Sequence, residues 1–172
     1  IGRHLLEALK QLPHQNIFGL SRKGDFTALG WRSIEGDVSH PNMPKLLEEL
    51  QPDVIFHLAA APRTATLKQQ LDSTVLGTEC LLKSVHEIRP DCRVVVVGSA
   101  AEYGPQLEPL HEDSPTLPAS DYGLAKLTQT RLAISLAQQF NLSVVVGRVF
   151  NAYGNSPGTL AVSAIASQLV QM

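Results

Sequence analysis

Apolar residues recur along the chain in two alternating patterns, one typical of β-strands and the other typical of helices. Short runs of apolar and β-branched residues, such as the four consecutive valines at 94–97, are typical of strands covered on both faces of a sheet. The predicted strands cover residues 16–20, 31–35, 54–58, 94–97 and 144–146. Between these runs, apolar residues recur every three or four positions, as on one face of a helix. The predicted helices cover residues 5–12, 45–50, 67–88, 120–140 and 161–170.

The alternation of strands with helices predicts an α/β fold with a parallel sheet. The chain has 172 residues, of which 44% are apolar and 17% are charged. One domain of this size buries a sizeable core, and the composition excludes a disordered or low-complexity chain. The chain opens on a helix at Ile1 and Gly2, whereas a fold of this type opens on a strand. Either the fold begins in an unusual way or a first strand has been cut off.

The charge balance narrows the classes of partner. Lysine and arginine number 14 and aspartate and glutamate 16, so the net charge of −2 provides no basic field for nucleic acid or an anionic membrane. No apolar run reaches the roughly 20 residues that span a bilayer. Cys80 and Cys92 provide neither a disulfide framework nor a zinc site, and His57 is expected to be a core residue rather than a ligand. We therefore expect a cytoplasmic protein without a metal, a nucleic-acid partner or a membrane partner.

Tyr122 and Lys126 are the strongest candidates for chemistry. They are four residues apart in a predicted helix, so their side chains share a face. A phenol is a poor acid or base at neutral pH, but a neighbouring ammonium stabilises the phenolate and lowers the pKa of the phenol. The alternative is a surface tyrosine with an incidental lysine.

Ser99 follows the run of valines after one glycine, just past the end of a strand, where open parallel sheets bind their ligands. Its hydroxyl can hydrogen-bond a substrate oxygen while Tyr122 moves the proton. The alternative is a loop serine that caps the end of the strand. The combination of Ser99 with Tyr122 and Lys126 favours an enzyme.

Six short motifs follow one another along the chain. They are GDV at 36–38, FHLAA at 56–60, LGT at 76–78, SAAEYG at 99–104, YGLAK at 122–126 and RVFNAYG at 148–154. With these motifs in this order, the chain resembles over essentially its whole length the extended short-chain dehydrogenase/reductase family. That family comprises nucleotide-sugar epimerases, dehydratases and reductases. The resemblance implies a doubly wound, Rossmann-type parallel sheet that binds a dinucleotide.

The glycine-rich turn of that family, G-x-x-G-x-x-G, follows its first strand, and only Gly2 matches, at the last glycine of the turn. The resemblance therefore implies that residues 1–172 are a partial dinucleotide-binding domain that lacks its first strand, with the C-terminal substrate-binding region absent. In the strand order 3-2-1-4-5-6, strand 1 lies between strands 2 and 4. Without it two ladders of backbone groups stay unpaired, and we expect the 172-residue chain alone to bind a dinucleotide weakly.

The resemblance also implies a role for each candidate site residue. Ser99, Tyr122 and Lys126 form the catalytic triad, in which Ser99 orients the carbonyl, Tyr122 transfers the proton and Lys126 also holds the nicotinamide ribose. The other cofactor positions are Gly2 at the diphosphate, Asp37 and Val38 at the adenine, and Leu58, Ala59 and Ala60 along the cofactor. The substrate positions are Ala100 beside Ser99, and Asn151 at the phosphates of the sugar nucleotide. Arg63 is a weaker candidate for binding the same phosphates, and the alternative is that Arg63 is a solvated basic residue of a loop.

The segment 20–23 bears on the choice of cofactor. NAD-binding relatives usually place an acid about 20 residues after the glycines, but this segment contains none. Arg22 can pair with a 2′-phosphate and Ser21 can hydrogen-bond it, which favours NADP(H). NAD as the cofactor, and a solvated turn with exposed basic side chains, are the alternatives.

Two departures from the family pattern bear on the reaction. Thr74 stands where relatives often have Asn, and a hydroxyl makes fewer hydrogen bonds than an amide, so the sequence does not support the helix distortion attributed to that Asn. Dehydratases of the family carry Asp-Glu or Ser-Glu directly after the catalytic hydroxyl residue, and the Glu acts in the elimination. Here Ala100 and Ala101 stand at those positions and Glu102 comes one residue late, which disfavours dehydration.

The SAAEYG and RVFNAYG motifs are most similar to those of the GDP-4-keto-6-deoxymannose reductases. The resemblance implies an NAD(P)-dependent enzyme that reduces a 4-keto-6-deoxy sugar nucleotide by hydride transfer. The alternatives are a nucleotide-sugar 4-epimerase, a non-catalytic NADP-binding sensor and an inactive fragment. Relatives commonly dimerise through their long helices, so a homodimer is expected by resemblance.

Overall fold

The computed structural model describes residues 1–13, 16–23 and 31–152, and in this part of the chain strands alternate with helices as predicted. The helices are α1 (Gly2–Leu9), α2 (Met43–Leu50), α3 (Leu67–Gln70), α4 (Gly77–Ile88) and α5 (Asp121–Phe140). The strands are β1 (Phe18–Ser21), β2 (Arg32–Glu35), β3 (Val54–His57), β4 (Arg93–Ser99) and β5 (Ser143–Val149). The predicted helix at 161–170 lies outside the described residues.

The strands pair in parallel and form two sheets. β1 pairs with β2, and β4 lies between β3 and β5. Within the described ranges no strand joins β1 to β3, so the sheet is divided at the position where the predicted order places the first strand of the family. The predicted α/β fold with parallel strands is confirmed.

The hydrophobic core covers one face of the three-stranded sheet. Val94 and Val96 of β4 are buried there and belong to one cluster with Leu82 and Val85 of α4 and Ala133 of α5. Their alternation follows from the pleat, which sends successive side chains to opposite faces. On the opposite face, Phe56, Val95 and Val145 lie side by side in register, with Phe56 37% and Val145 63% exposed. The described residues therefore cover this second face only in part.

The same core joins the two sheets. Val38, Met43 and Leu47, which follow β2 in the chain, are buried in the cluster that contains Leu82 and Val85 of α4. Val38 is packed so closely that a Cβ atom on Gly77 would lie 2.8 Å from its Cγ1 atom. This close approach explains a glycine at the start of α4.

The predicted helix at 67–88 is divided by a π-helical segment, Leu71–Leu76. The helix begins at Thr66, whose side chain forms a reciprocal capping box with Gln69. The distortion is present although Thr74 replaces the Asn of many relatives, so the expectation drawn from that replacement was wrong. The buried Thr74 hydroxyl accepts a hydrogen bond from the backbone amide of Ala61 at 3.2 Å. One hydroxyl therefore ties the π-helical segment to the chain that follows β3.

Candidate active site

The candidate residues follow the carboxyl ends of the parallel strands. β4 ends at Ser99, β3 ends at His57 and runs into residues 58–60, and β1 ends at Ser21. Open α/β sheets bind their ligands beyond this edge. The strand ends therefore define the region in which the site is assembled.

Ser99 begins a short 3₁₀ helix over Ala100–Glu102. Its hydroxyl oxygen accepts a hydrogen bond from the Ala101 amide at 3.2 Å, and its own amide donates to Glu102 Oε1 at 2.8 Å. Ser99 and Ala100 are both half-buried. Since a hydroxyl carries one proton and two lone pairs, Ser99 caps this turn and still has a proton to donate to a ligand.

Glu102 forms a buried ion pair that fixes the Ser99 turn to β5. Its side chain is 0% exposed, and its Oε2 atom accepts from Arg148 Nε at 2.8 Å. Arg148 also donates to the Tyr103 hydroxyl at 2.7 Å. Both oxygens of the Glu102 carboxylate therefore accept hydrogen bonds from groups within the protein. This agrees with the sequence, in which Glu102 stands one residue after the position of the glutamate that acts in dehydratases.

The N-terminus of α5 packs directly against the Ser99 turn. The Ser120 hydroxyl caps the helix as predicted, because it accepts from the Gly123 amide at 3.1 Å. A Cβ atom on Gly123 would lie 2.5 Å from the carbonyl oxygen of Ala101, so only glycine allows this approach. Tyr122 precedes Gly123 and is half-buried at the same end of the helix.

Arg63 is exposed in the loop that follows β3, and its guanidinium lies over the Tyr122 ring, 5.2 Å from the ring centre. The negative face of an aromatic ring attracts a cation in this position. The structure therefore brings Arg63 beside Tyr122, a contact that sequence reasoning did not predict.

Lys126 is buried one helical turn after Tyr122 and is only 3% exposed. Its Nζ atom donates to the carbonyl oxygen of Val97 in β4 at 2.7 Å and to Gln129 Oε1 at 2.9 Å. Burial lowers the pKa of Lys126 to about 8, and the nearby Glu102 carboxylate opposes this shift. Because an ammonium has three N–H groups, these two hydrogen bonds leave one for a ligand.

Sequence reasoning missed the polar side chains that surround Lys126. Gln129 Nε2 donates to the Thr78 hydroxyl at 2.8 Å, and the Thr78 hydroxyl also contacts His57 Nε2 at 2.9 Å. All three side chains are buried, and burial together with the charge of Lys126 lowers the pKa of His57 to about 4. The expectation of a core histidine is confirmed. The feature of the sequence that could have revealed these polar neighbours of Lys126 is the set of polar residues on the face of α5 that is buried.

The two strands of the smaller sheet carry the residues predicted to meet the adenosine half of the cofactor. Ser21 ends β1 and Arg22 follows it, exposed. The Asp37 carboxylate accepts from the Ser39 amide at 2.9 Å and from its hydroxyl at 2.8 Å. These hydrogen bonds, aided by the charge of Arg22, lower the pKa of Asp37. Val38 is buried in the core, which leaves its side chain little freedom to meet a ligand.

The other predicted positions are distributed along the sheet edge. Gly2 lies against Leu58, because a Cβ atom on Gly2 would be 3.6 Å from Leu58 Cδ1. Ala60 is half-buried, whereas Ala59 is exposed. Asn151 is exposed just after β5, and no contact recorded for the described residues joins it to Tyr122.

Two features of the described residues fit a dinucleotide. The Ser21 hydroxyl oxygen is buried at the end of β1 without a hydrogen-bond partner among these residues, and such an atom is normally satisfied. Lys126 retains an N–H group at the end of β4. Ser21 and Lys126 are therefore suited to hold opposite halves of a cofactor that lies along the carboxyl edge.

The described ranges contain neither a cluster of metal ligands nor a membrane-spanning helix. No group of three or more His, Cys, Asp or Glu side chains is placed there to bind a metal ion. No helix in those ranges is long and apolar enough to cross a membrane.

The parallel sheets with polar residues at their carboxyl edge define a Rossmann-type α/β protein. The chain belongs to the NAD dependent epimerase/dehydratase family, whose model matches residues 1–172. The family resemblance inferred from the motifs is thus confirmed.

Two curated relatives and one solved structure are informative. The UDP-glucose 4-epimerase of Azospirillum brasilense is 26% identical over 188 residues, covering 100% of this chain and 52% of the relative. The dTDP-6-deoxy-L-talose 4-dehydrogenase (NAD(P)(+)) of Kitasatospora kifunensis is 26% identical over 159 residues, covering 89% of this chain and 50% of the relative. The structure of MoeE5 in complex with UDP-glucose and NAD is 28% identical with a TM-score of 0.79, covering 99% of this chain and 56% of that one. The chain therefore spans about half the length of these relatives.

Proposed function

We propose that the full-length protein interconverts the C4 epimers of a nucleoside diphosphate sugar with the help of a nicotinamide cofactor. The observation that carries this proposal is the packing of α5 against the Ser99 turn, through Gly123 on Ala101 and Lys126 on Val97. This packing sets the end of α5 that carries Tyr122 and Lys126 against the turn that begins at Ser99, which supports a shared role for the three side chains. The similarity to UDP-glucose 4-epimerases favours epimerisation over the reduction inferred from the motifs alone.

Each residue of the triad has a task in this reaction. Tyr122 accepts the proton of the C4 hydroxyl and returns it to the C4 oxygen when the sugar is reduced again. Ser99 donates its free hydroxyl proton to the same oxygen and orients it. Lys126 presents one N–H group towards the cofactor ribose and stabilises negative charge on Tyr122. Bound NAD(P) would supply the hydride acceptor and donor.

Arg63 and Asn151 are proposed to bind the diphosphate of the substrate. Arg63 is exposed and already lies at the Tyr122 ring, so its guanidinium can meet an anionic ligand without desolvation of a buried charge. Asn151 is exposed at the end of β5. Ala100 would contact the sugar, since it follows Ser99 in the same turn.

A C4 dehydrogenase or reductase is the second candidate function, and the similarity to dTDP-6-deoxy-L-talose 4-dehydrogenase supports it. The two functions differ in their cofactor balance, because an epimerase regenerates its cofactor in every cycle and a dehydrogenase does not. The test is to incubate the full-length protein with UDP-, dTDP- and GDP-sugars, and to follow both the C4 epimers and the absorbance of reduced cofactor. Epimers formed without net cofactor change support the first function. Stoichiometric cofactor conversion supports the second, and cofactor binding without any turnover would instead indicate a sensor.

NADP is proposed as a cofactor beside NAD because Arg22 is exposed next to the Ser21 hydroxyl, which has no hydrogen-bond partner among the described residues. We expect Arg22→Gln to weaken the binding of NADP to the full-length protein about tenfold, because a charge-assisted hydrogen bond to the 2′-phosphate is lost. The binding of NAD should stay nearly unchanged. Calorimetric titration with both cofactors measures the difference. Arg93→Gln, at the opposite end of β4, removes a charge without touching the proposed site. Equal effects of Arg22→Gln on both cofactors would show that Arg22 does not bind the 2′-phosphate and would overturn this basis for NADP.

A further inference from the structure

We propose that Gln129 is a positioning residue of the active site, whose side-chain carbonyl holds the Lys126 ammonium at the end of β4 while its amide is fixed on Thr78. The active-site role of Lys126 rests on the proposed function. The placement of Lys126 by Gln129 can be tested without substrate.

The Lys126 ammonium is held on two sides. The Val97 carbonyl of β4 accepts one N–H at 2.7 Å, and the Gln129 side chain of the same helix accepts another at 2.9 Å. Among the described residues these are the two hydrogen-bond acceptors recorded for Nζ. Val97 contributes a backbone group, so Gln129 is the side chain on which the direction of the third N–H depends.

Gln129 itself has a single defined orientation. Its Nε2 atom donates to the Thr78 hydroxyl at 2.8 Å, and that hydroxyl donates its one proton to the Thr74 carbonyl at 2.6 Å. The contact between Thr78 and His57 Nε2 must then be donated by His57, which makes His57 a neutral Nε2–H tautomer. A flipped Gln129 would present its NH₂ group to the Lys126 ammonium and its oxygen to Thr78, whose only proton is already donated to Thr74, so both hydrogen bonds would be lost.

This network connects three elements to one ammonium. Thr74 lies in the π-helical segment, Thr78 in α4 and His57 at the end of β3, and all are buried with Gln129. Buried polar networks of this kind fix one arrangement when every member is satisfied. The network therefore holds Lys126 in the absence of any ligand, which is the condition for a preorganised site.

The test measures the pKa of Lys126 directly in the full-length protein. Competitive acylation with acetic anhydride modifies only unprotonated amines, and mass spectrometry of the Lys126 peptide across a pH series gives the midpoint. Lys126 interacts electrostatically with His57 of β3 and Glu102 after β4, and Tyr122 stands one helical turn before it. All three groups stay unchanged in the variants. A wild-type midpoint of about 8 is expected.

Two substitutions of Gln129 should move this midpoint in opposite directions. Gln129→Met removes an acceptor that stabilises the charged form, so the midpoint should fall by about one unit. Gln129→Glu keeps the volume and adds a negative charge, so the midpoint should rise. Gln138→Met, at an exposed position of the same helix, should leave it unchanged. If Gln129→Met does not fold by circular dichroism, Gln129→Glu decides through two readings: its midpoint should rise while the acylation rate of the unprotonated Lys126 amine stays at the wild-type value, whereas a loosened core would raise both.

A merely structural role gives a different pattern. If Gln129 only supports the core, either substitution would loosen the packing, expose Lys126 to water and move its midpoint upward. If the midpoint stays at the wild-type value in both variants, Gln129 does not hold the ammonium. Either result overturns the proposal. If the full-length protein turns over no sugar nucleotide, the proposed function fails while the labelling result still stands.

Discussion

Tyr122→Phe is expected to reduce kcat/KM of the full-length protein by a factor of about 10²–10⁴, the usual contribution of a positioned proton-transfer group. The substitution removes only the phenolic oxygen. The ring remains beside the Arg63 guanidinium and at the start of α5, so binding of cofactor and substrate should change little. Steady-state kinetics with the substrate found in the turnover assay measures the loss, which should fall mainly on kcat.

Tyr103→Phe is the matched control for Tyr122→Phe. It removes the same atom from a buried tyrosine whose hydroxyl accepts a hydrogen bond from Arg148 at 2.7 Å. Loss of one such hydrogen bond costs about 1 kcal/mol of stability, and kcat/KM should stay within about tenfold of the wild-type value. Equal activity of Tyr122→Phe and the wild-type protein would refute proton transfer by Tyr122.

Glu102→Gln is expected to lower the free energy of unfolding by about 3 kcal/mol, because it breaks a buried ion pair on one side only. Glu102 is fully buried and bridges the Ser99 amide and Arg148 Nε. The amide of glutamine can still accept from Ser99, but its NH₂ group would face the Arg148 donor. Arg148 would then lose its charge partner while remaining only 18% exposed. Chemical denaturation with and without the substitution measures the effect.

Glu79→Gln is the control for Glu102→Gln. Glu79 pairs with Lys83 at 2.7 Å on the surface of α4, where Lys83 is exposed and Glu79 is half-buried. Surface pairs of this kind contribute less than about 0.5 kcal/mol. If the two substitutions destabilise the protein equally, the Glu102–Arg148 pair does not anchor the Ser99 turn.

The secondary structure was predictable where the hydrophobic pattern was regular, and less so at strand ends. β4 extends to Ser99 and β5 to Val149, beyond the predicted runs of valine, because Gly98 and Ser99 pair with Arg148 and Val149 in a continuous parallel ladder. A glycine and polar residues have low intrinsic preference for strands, and only pairing with a neighbour stabilises them there. The carboxyl edge of the sheet therefore lies further along β4 and β5 than the sequence indicated.

The contacts of the site were less predictable than its members. Ser99, Tyr122 and Lys126 were identified from spacing and motif, whereas the partners of Lys126 come from elements far apart in the sequence, such as Thr78 in α4. The π-helical segment at Leu71–Leu76 also had no signal in the periodicity, because one extra residue per turn hardly changes a helical pattern.

The central claim is that Tyr122, Lys126 and Ser99 support hydride transfer at C4 of a nucleoside diphosphate sugar. The most direct test is to supply the full-length protein with substrate deuterated at C4 and to analyse the product by mass spectrometry and NMR. Wild-type protein is expected to form the C4 epimer with deuterium retained at C4. Tyr122→Phe is expected to do so at least about a hundredfold more slowly, at the lower end of the usual range of about 10²–10⁴. Exchange of the C4 deuterium with water, or a Tyr122→Phe variant as active as the wild type, would contradict it.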